Sequence, residues 1–456
     1  MKSNISINTG DHFPYLGNGI QFNEHLFGLD FDANLIQQTS ELIWQPNSTL
    51  PYSTLKILPA PYNILSDIAF EMTVHNNSKI GLIGQNVLFD EVKLIDDGLM
   101  DKFILDVQNH IANPTKESAE LIANVRCWSS WLANGIKIEP IFNGKKKACS
   151  FIPWPLSGLL LLSSRITGQQ PEFEYAADYV LRSGILPEQE LDNYDDLSKN
   201  IDYIRSIKPL VAFHDFEGNE QGFRMTHLAM ERTSNMLIEN ALLAAEGVDI
   251  KENLEKIELA TMQSNQLFNA MWKVSEPLLY NKEVRIFIQG LFGNQGSIYP
   301  EEGLFFENCG DIFNENYDSK GCYLSNLHGQ TGANSSYHPI ADEITGVGNH
   351  THAYIADEIV DKSMIKGVLE KGYVSSDDLP KNVEVDSLTK LLKSFRVGYR
   401  PPAHHAMIVK TRNIIQNSNY FSKIESSNNN KKILASAVRW IIPVSYTHLT
   451  LPTTRL

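Results

Sequence analysis

The sequence predicts a mostly α-helical protein of two domains, and three features carry that prediction. Apolar residues recur at helical spacing through two long segments after residue 226. Strands and helices do not alternate, and neither a GxGxxG after a strand nor a P-loop is present, which sets aside the nucleotide-binding α/β folds. The length, 456 residues, exceeds what one compact domain usually holds. We place a smaller N-terminal domain with its connector at 1–205, a large helical domain at 206–443, and a non-native tail at 444–456.

Each segment follows from its residues. The first 60 or so are rich in Asn, Pro and Gly and read as irregular. Segment 61–135 spaces its apolar residues at a helical period and ends in CWSSWL. Pro153 and Pro155 mark a connector before the apolar run to Ile166, and 187–200 is a solvated acidic insert. From Thr226 to Glu246 one helix is predicted, with Met230, Leu237, Ala241 and Ala244 on a stripe and Gly247 as its stop. A second runs over about 251–272, with Leu254, Ile257, Thr261, Ser264, Phe268 and Met271 on one face. A third holds 284–292. The stretch 293–335 is rich in Gly, Asn and Asp, and an irregular segment that long inside a domain is often functional. Helices resume over 337–344 and from about 351. Pro401-Pro402 then signals another helix start, because proline fits a first turn where amide donors are free anyway. The closing VSYTHLTLPTTRL resembles translated sequencing-adapter sequence, so Val444 onward is left out of the fold reading.

Charge narrows the function. With 39 Lys and Arg against 54 Asp and Glu, the net charge is −15. A nucleic-acid binder needs a basic face for phosphates, and a polybasic membrane-surface protein needs the same, so neither is expected. The most apolar run, 151–162, holds two prolines and is too short to span a bilayer. The N-terminus shows no apolar signal region, and the four cysteines form no CxxC pair. A cytoplasmic, monomeric protein is the expectation.

Thirteen histidines are present, several in tight pairs, but no HExxH occurs. His404 stands apart. It falls in the first turn of an apolar helix after Pro401-Pro402, where a rigid start and an apolar wall suit an axial ligand to haem iron.

Around it, YRPPAHHAMI (399–408) resembles YMPPAHRNFL, the proximal-histidine motif of the indoleamine 2,3-dioxygenases. Other segments resemble that family in the same order. These are IPWPLSGLLLL (152–162), EYAADYVL (174–181), VAFHDFEGNEQGFRMTHLAMER (211–232), VRIFIQGLFGNQGSIYPEEGLFFEN (284–308) and GQTGANSS (329–336). The resemblance covers roughly 150–410 and implies a two-domain helical fold that binds haem b. It implies an oxidoreductase of tryptophan catabolism and the kynurenine pathway. Such an enzyme cleaves the indole C2=C3 bond of L-tryptophan or a related indole with O2, giving an N-formylkynurenine-type product.

Roles carry across position by position. His404 stands at the proximal haem ligand, followed by His405 where the family has Arg. Arg285 stands at the arginine that holds the substrate carboxylate. Thr331 matches the hydroxyl that tryptophan 2,3-dioxygenases set on the substrate ammonium. Gly332 and Ala333 would lie over the distal side of the haem. Ser335 and Ser336 would bond a propionate or cap the next helix. His227 replaces a small Ser of the indoleamine enzymes. It matches the distal His of tryptophan 2,3-dioxygenases that bonds the indole N–H, and Glu231, at i+4, is placed to orient it. Phe223 matches a Phe that packs on the indole. Ala176 and Tyr179 stand where the family has Tyr and Cys. Tyr280 and Asn281 replace a Phe pair, which removes an aromatic wall. His350 resembles part of a mobile GGGH loop. Two alternatives stay open: a tailoring enzyme for a modified indole, and a non-catalytic haem-based sensor.

Overall fold

In the computed structural model the described residues are 25–30, 33–76, 79–288, 298, 303–309, 320–324, 335–345 and 400–425. They are mostly helical. The helices are α1 (Ala33–Ile43), α2 (Asn63–Glu71), α3 (Leu82–Gln85), α4 (Leu88–Lys93), α5 (Gly98–Ala112), α6 (Lys116–Phe142), α7 (Leu156–Thr167) and α8 (Leu197–Ser206). They continue as α9 (Asn219–Arg232), α10 (Ser234–Glu246), α11 (Ile250–Val274), α12 (Pro277–Glu283), α13 (Tyr337–Thr345), α14 (Pro402–Gln416) and α15 (Tyr420–Glu425). A small sheet pairs β1 (Phe151–Ile152) parallel to β2 (Leu304–Glu307), which pairs antiparallel with β3 (Gly321–Leu324). No helix among the described residues is long and apolar enough to cross a membrane.

α6 is the axis of the larger core. It opens on a reciprocal cap: Thr115 Oγ1 accepts from the Ser118 amide and Ser118 Oγ from the Thr115 amide, each at 3.2 Å. From Ile122 to Glu139 every residue is buried, so the helix is enclosed on all sides. Three charged side chains go inside with it, and each finds a partner. Arg126 forks onto Asp178 at 2.6 and 2.7 Å, and Lys137 bonds Glu172. Glu139 accepts from the amides of Leu88 (2.6 Å) and Phe89 (3.2 Å), where a carboxylate complements the start of α4.

α7 packs along α6, fully buried, and ends at Gly168 with φ +69°. A Cβ there would lie 2.4 Å from Pro402 Cγ and 2.5 Å from Ile36 Cγ2, so glycine serves both the left-handed turn and the close approach of α14 and α1. After α7 the segment Tyr175–Leu181 forms a π-helical turn.

A smaller core joins α10, α11, α13, α14 and α15 through residues such as Leu237, Ile257, Ile340, Ile408 and Tyr420. The face predicted for α11 is buried at all six positions. The helix predicted from Thr226 to Glu246 differs in two ways. It begins earlier, at Asn219, and it breaks at Thr233. The Thr233 hydroxyl bonds the Met230 carbonyl at 2.8 Å and meets Ser264 Oγ at 2.5 Å, trading helix continuity for a link to α11. The N-terminal 60 residues are not all irregular, because α1 lies among them. Its buried face, Ile36, Thr39, Ser40 and Ile43, is half polar, which hides the stripe from sequence reading. The segment predicted as a helix over 284–292 shows a 3₁₀ turn at Arg285–Ile288, and 289–292 lie outside the described residues.

Candidate active site

His404 sits in the first turn of α14 and is buried at 1 % exposure. Its Nδ1 lies 2.7 Å from Ser336 Oγ, while its Nε2 is buried without a hydrogen-bond partner. Burial, with the charge of Arg400 added, pushes its pKa down to about 3. The ring is therefore neutral and free to donate a lone pair. Trp44 stands edge-on to it, with centroids 4.3 Å apart, and Ser40 Oγ accepts from the Ala403 amide at 2.9 Å. The first turn of α14 is thus held by α1 and the residue that follows it. Neither contact had a signal in the sequence.

No group of three or more His, Cys, Asp or Glu among the described residues could hold a metal ion. A haem iron asks less: the porphyrin supplies four donors, and one protein nitrogen completes the proximal side. His404 fits that demand, with one nitrogen supported and the other open.

The support for His404 continues outward. Ser335 Oγ donates to Glu231 Oε1, and Arg400 donates to the Ser335 carbonyl through Nε (3.3 Å) and Nη2 (3.1 Å). The Tyr337 amide, at the start of α13, bonds Ser335 Oγ (3.2 Å) and Glu231 Oε1 (3.3 Å). Ser335 therefore caps α13 while Ser336 faces His404. Arg400 stands where the resembling motif has Met, and that departure was its visible signal.

A second cluster gathers aromatic side chains. Phe223 and His227 lie one turn apart on α9, with ring centroids 4.6 Å apart. Tyr280 of α12 stacks on Phe223 at 4.0 Å. Tyr175 stands edge-on to His227 at 5.7 Å and tilts on Tyr179 at 5.5 Å. Arg285, half-buried, donates to the Ile288 carbonyl at 3.2 Å. Its charge counters the burial that raises the pKa of Tyr175 and Tyr280. Tyr280 keeps the ring of one member of the replaced pair. The Asn281 side chain lies outside the described residues.

His227 is buried, and desolvation pushes its pKa down to about 4. Its Nδ1 donates to the Phe223 carbonyl at 3.0 Å. Glu231 was expected to orient it and does not. That carboxylate turns instead to Ser335 and Tyr337, which both donate to its Oε1. The Tyr179 and Tyr280 hydroxyls lie side by side, yet neither makes a hydrogen bond of good geometry. Arg224, fully buried, pairs with Glu220 at 3.5 Å and covers the rings of Trp131 and Tyr179 at 5.1 and 5.3 Å.

Of the residues singled out from sequence, Phe223, His227, Tyr179 and Arg285 fall in the aromatic cluster. His404, Ser335 and Ser336 form the other corner. Thr331, Gly332, Ala333 and His350 lie outside the described residues, as does the His405 side chain.

Comparison with known proteins follows the same lines. The family model described as Indoleamine 2,3-dioxygenase matches residues 143–449, about two thirds of the chain. No curated protein matches it.

Proposed function

Because the chain belongs to the indoleamine 2,3-dioxygenase family, we propose that it is a haem-dependent dioxygenase. It opens the indole C2=C3 bond of L-tryptophan or a close relative to give an N-formylkynurenine-type product. The observation that carries this reading is His404: buried, neutral, supported at Nδ1 and open at Nε2. Haem, when bound, supplies the oxygen chemistry.

The chain's own residues bind and orient. His404 would hold the iron through Nε2. Arg285 takes the substrate carboxylate, because a guanidinium fork fixes pose as well as affinity. By the family resemblance the Thr331 hydroxyl would hold the ammonium. By the family resemblance Gly332 and Ala333 would lie over the distal side, where small residues permit close approach, and Ser335 would stand at the corner that holds the cofactor. The indole packs against Phe223 and Tyr280. The Nδ1 bond of His227 to Phe223 leaves its Nε2 as an acceptor, which suits an indole N–H. Tyr179 closes the cluster and, with its neighbours, keeps water out.

The deciding experiment is the absorption spectrum of the ferrous, haem-reconstituted protein under CO, with and without L-tryptophan. A histidine-ligated Soret band that shifts with tryptophan supports the assignment. Absence of haem uptake overturns it.

A modified indole is the second reading, and the Tyr179 and Tyr280 hydroxyls favour it. A buried hydroxyl without a good partner costs about 1–3 kcal/mol, which a polar substituent on the substrate ring would recover. Turnover of ring-hydroxylated tryptophans faster than tryptophan, lost in Tyr179→Phe and Tyr280→Phe, would select it.

A further inference from the structure

We propose that Ser336 and Glu231 are positioning residues for His404, and that together they tie the substrate-side helix α9 to the iron ligand. This inference rests on the reading of His404 as that ligand.

The observations form one chain of bonds. Ser336 Oγ is 2.7 Å from His404 Nδ1, and both residues are buried. The adjacent Ser335 donates to the Glu231 carboxylate, which also receives the Tyr337 amide. Arg400, four residues before His404, holds the Ser335 carbonyl. The Ser335-Ser336 corner is therefore pinned on three sides and cannot turn without breaking a buried bond. Its Ser336 Oγ accepts a hydrogen bond from the Nδ1–H of His404, and Nε2 is left open.

Glu231 lies on α9 one turn beyond His227, and Phe223 lies one turn before it. The helix that presents two rings to the substrate thus also ends the hydrogen-bond chain that sets the axial imidazole. A neutral hydroxyl, unlike a carboxylate, draws little charge from Nδ1–H. The imidazole is oriented without taking on imidazolate character, which favours the ferrous state needed for O2.

Resonance Raman spectroscopy of the ferrous haem-loaded protein reads this bond through the iron–histidine stretching band. Ser336→Ala is expected to move that band to lower frequency and to weaken haem binding roughly tenfold or more. Ser336→Thr, which keeps the hydroxyl, restores both. Glu231→Met is expected to shift the band in the same direction, although Glu231 does not touch His404. Should that variant not fold, Ser335→Ala breaks the same link and is expected to give the same shift.

An unchanged band in haem-loaded Ser336→Ala overturns the role of Ser336. So does loss of haem that Ser336→Thr fails to rescue. An unchanged band in Glu231→Met, or in Ser335→Ala where it stands in, overturns the link to α9. A wild-type protein with no histidine-ligated ferrous signature would instead sink the proposed function itself, so the two failures are told apart.

Discussion

His110 and His404 are both buried histidines that burial holds neutral, one in the N-terminal helices and one in the candidate site. They differ in what the second nitrogen meets. His110 has Thr39 Oγ1 at 2.8 Å from Nε2 and Ser118 Oγ at 2.6 Å from Nδ1. Thr39 gives its own proton to the Leu35 carbonyl, so it accepts from His110. That ring ties α1, α5 and α6 together and has nothing left to offer. His404 has Ser336 on one side and an open nitrogen on the other. The same residue type is scaffold where its bonds close and is left able to bind a ligand where one stays open.

The paired scaffold around α6 gives the largest expected effect. Asp178→Ala leaves Arg126 buried without its carboxylate and is expected to cost about 3–5 kcal/mol, read by urea denaturation of haem-free protein. A loss below about 1 kcal/mol would mean that the pair is not holding α6 to the π-helical turn.

The pH dependence of stability is next. The folded pKa of His110 is about 4 against an ordinary 6.5. The unfolded chain therefore binds the proton more readily between those values. The stabilisation is complete above about pH 6.5 and is lost as pH falls toward 4, by at most about 3 kcal/mol. His110→Gln should flatten that part of the stability–pH curve. An unaltered slope would assign the titration to other groups.

Gly168→Ala sharpens the contrast from the packing side. A side chain at φ +69° in contact with Pro402 is expected to cost about 2 kcal/mol and to lower haem affinity, because the start of α14 must move. Parallel titrations of stability and haem binding check it. A stability loss with unchanged affinity would detach Gly168 from the site.

His404→Leu is expected to give the smallest effect, within about 1 kcal/mol of wild type in haem-free protein. It removes the Nδ1 bond to Ser336 but also Nε2, a buried nitrogen that had no partner, and the second change offsets the first. A loss as large as that of Asp178→Ala would show that His404 is scaffold after all, and the comparison would collapse.

Sequence reading succeeded where a pattern is local. The buried face of α11 and the proline start of α14 follow from spacing alone. It failed where a polar side chain overrides the pattern, as Thr233 does by splitting one expected helix into two. At the site, family motifs named His404, Arg285, His227 and Phe223. Trp44 and the α1 contacts were beyond reach, because nothing local links residue 44 to residue 404. Glu231 was noticed but given the wrong partner. Helical spacing shows which residues share a face, and a bond to Ser335 a hundred residues away leaves no trace in it.

The bond from the Ala403 amide to Ser40 joins residues 363 positions apart. During synthesis the wall formed by α1 and Trp44 emerges long before the helix it must meet. The surroundings of His404 can close only after most of the matched family segment has left the ribosome. Contacts this distant in sequence form slowly, since the chain must give up loop entropy before they reward it. Cofactor capture should therefore come late in the life of each new molecule, after the α6 core has already set.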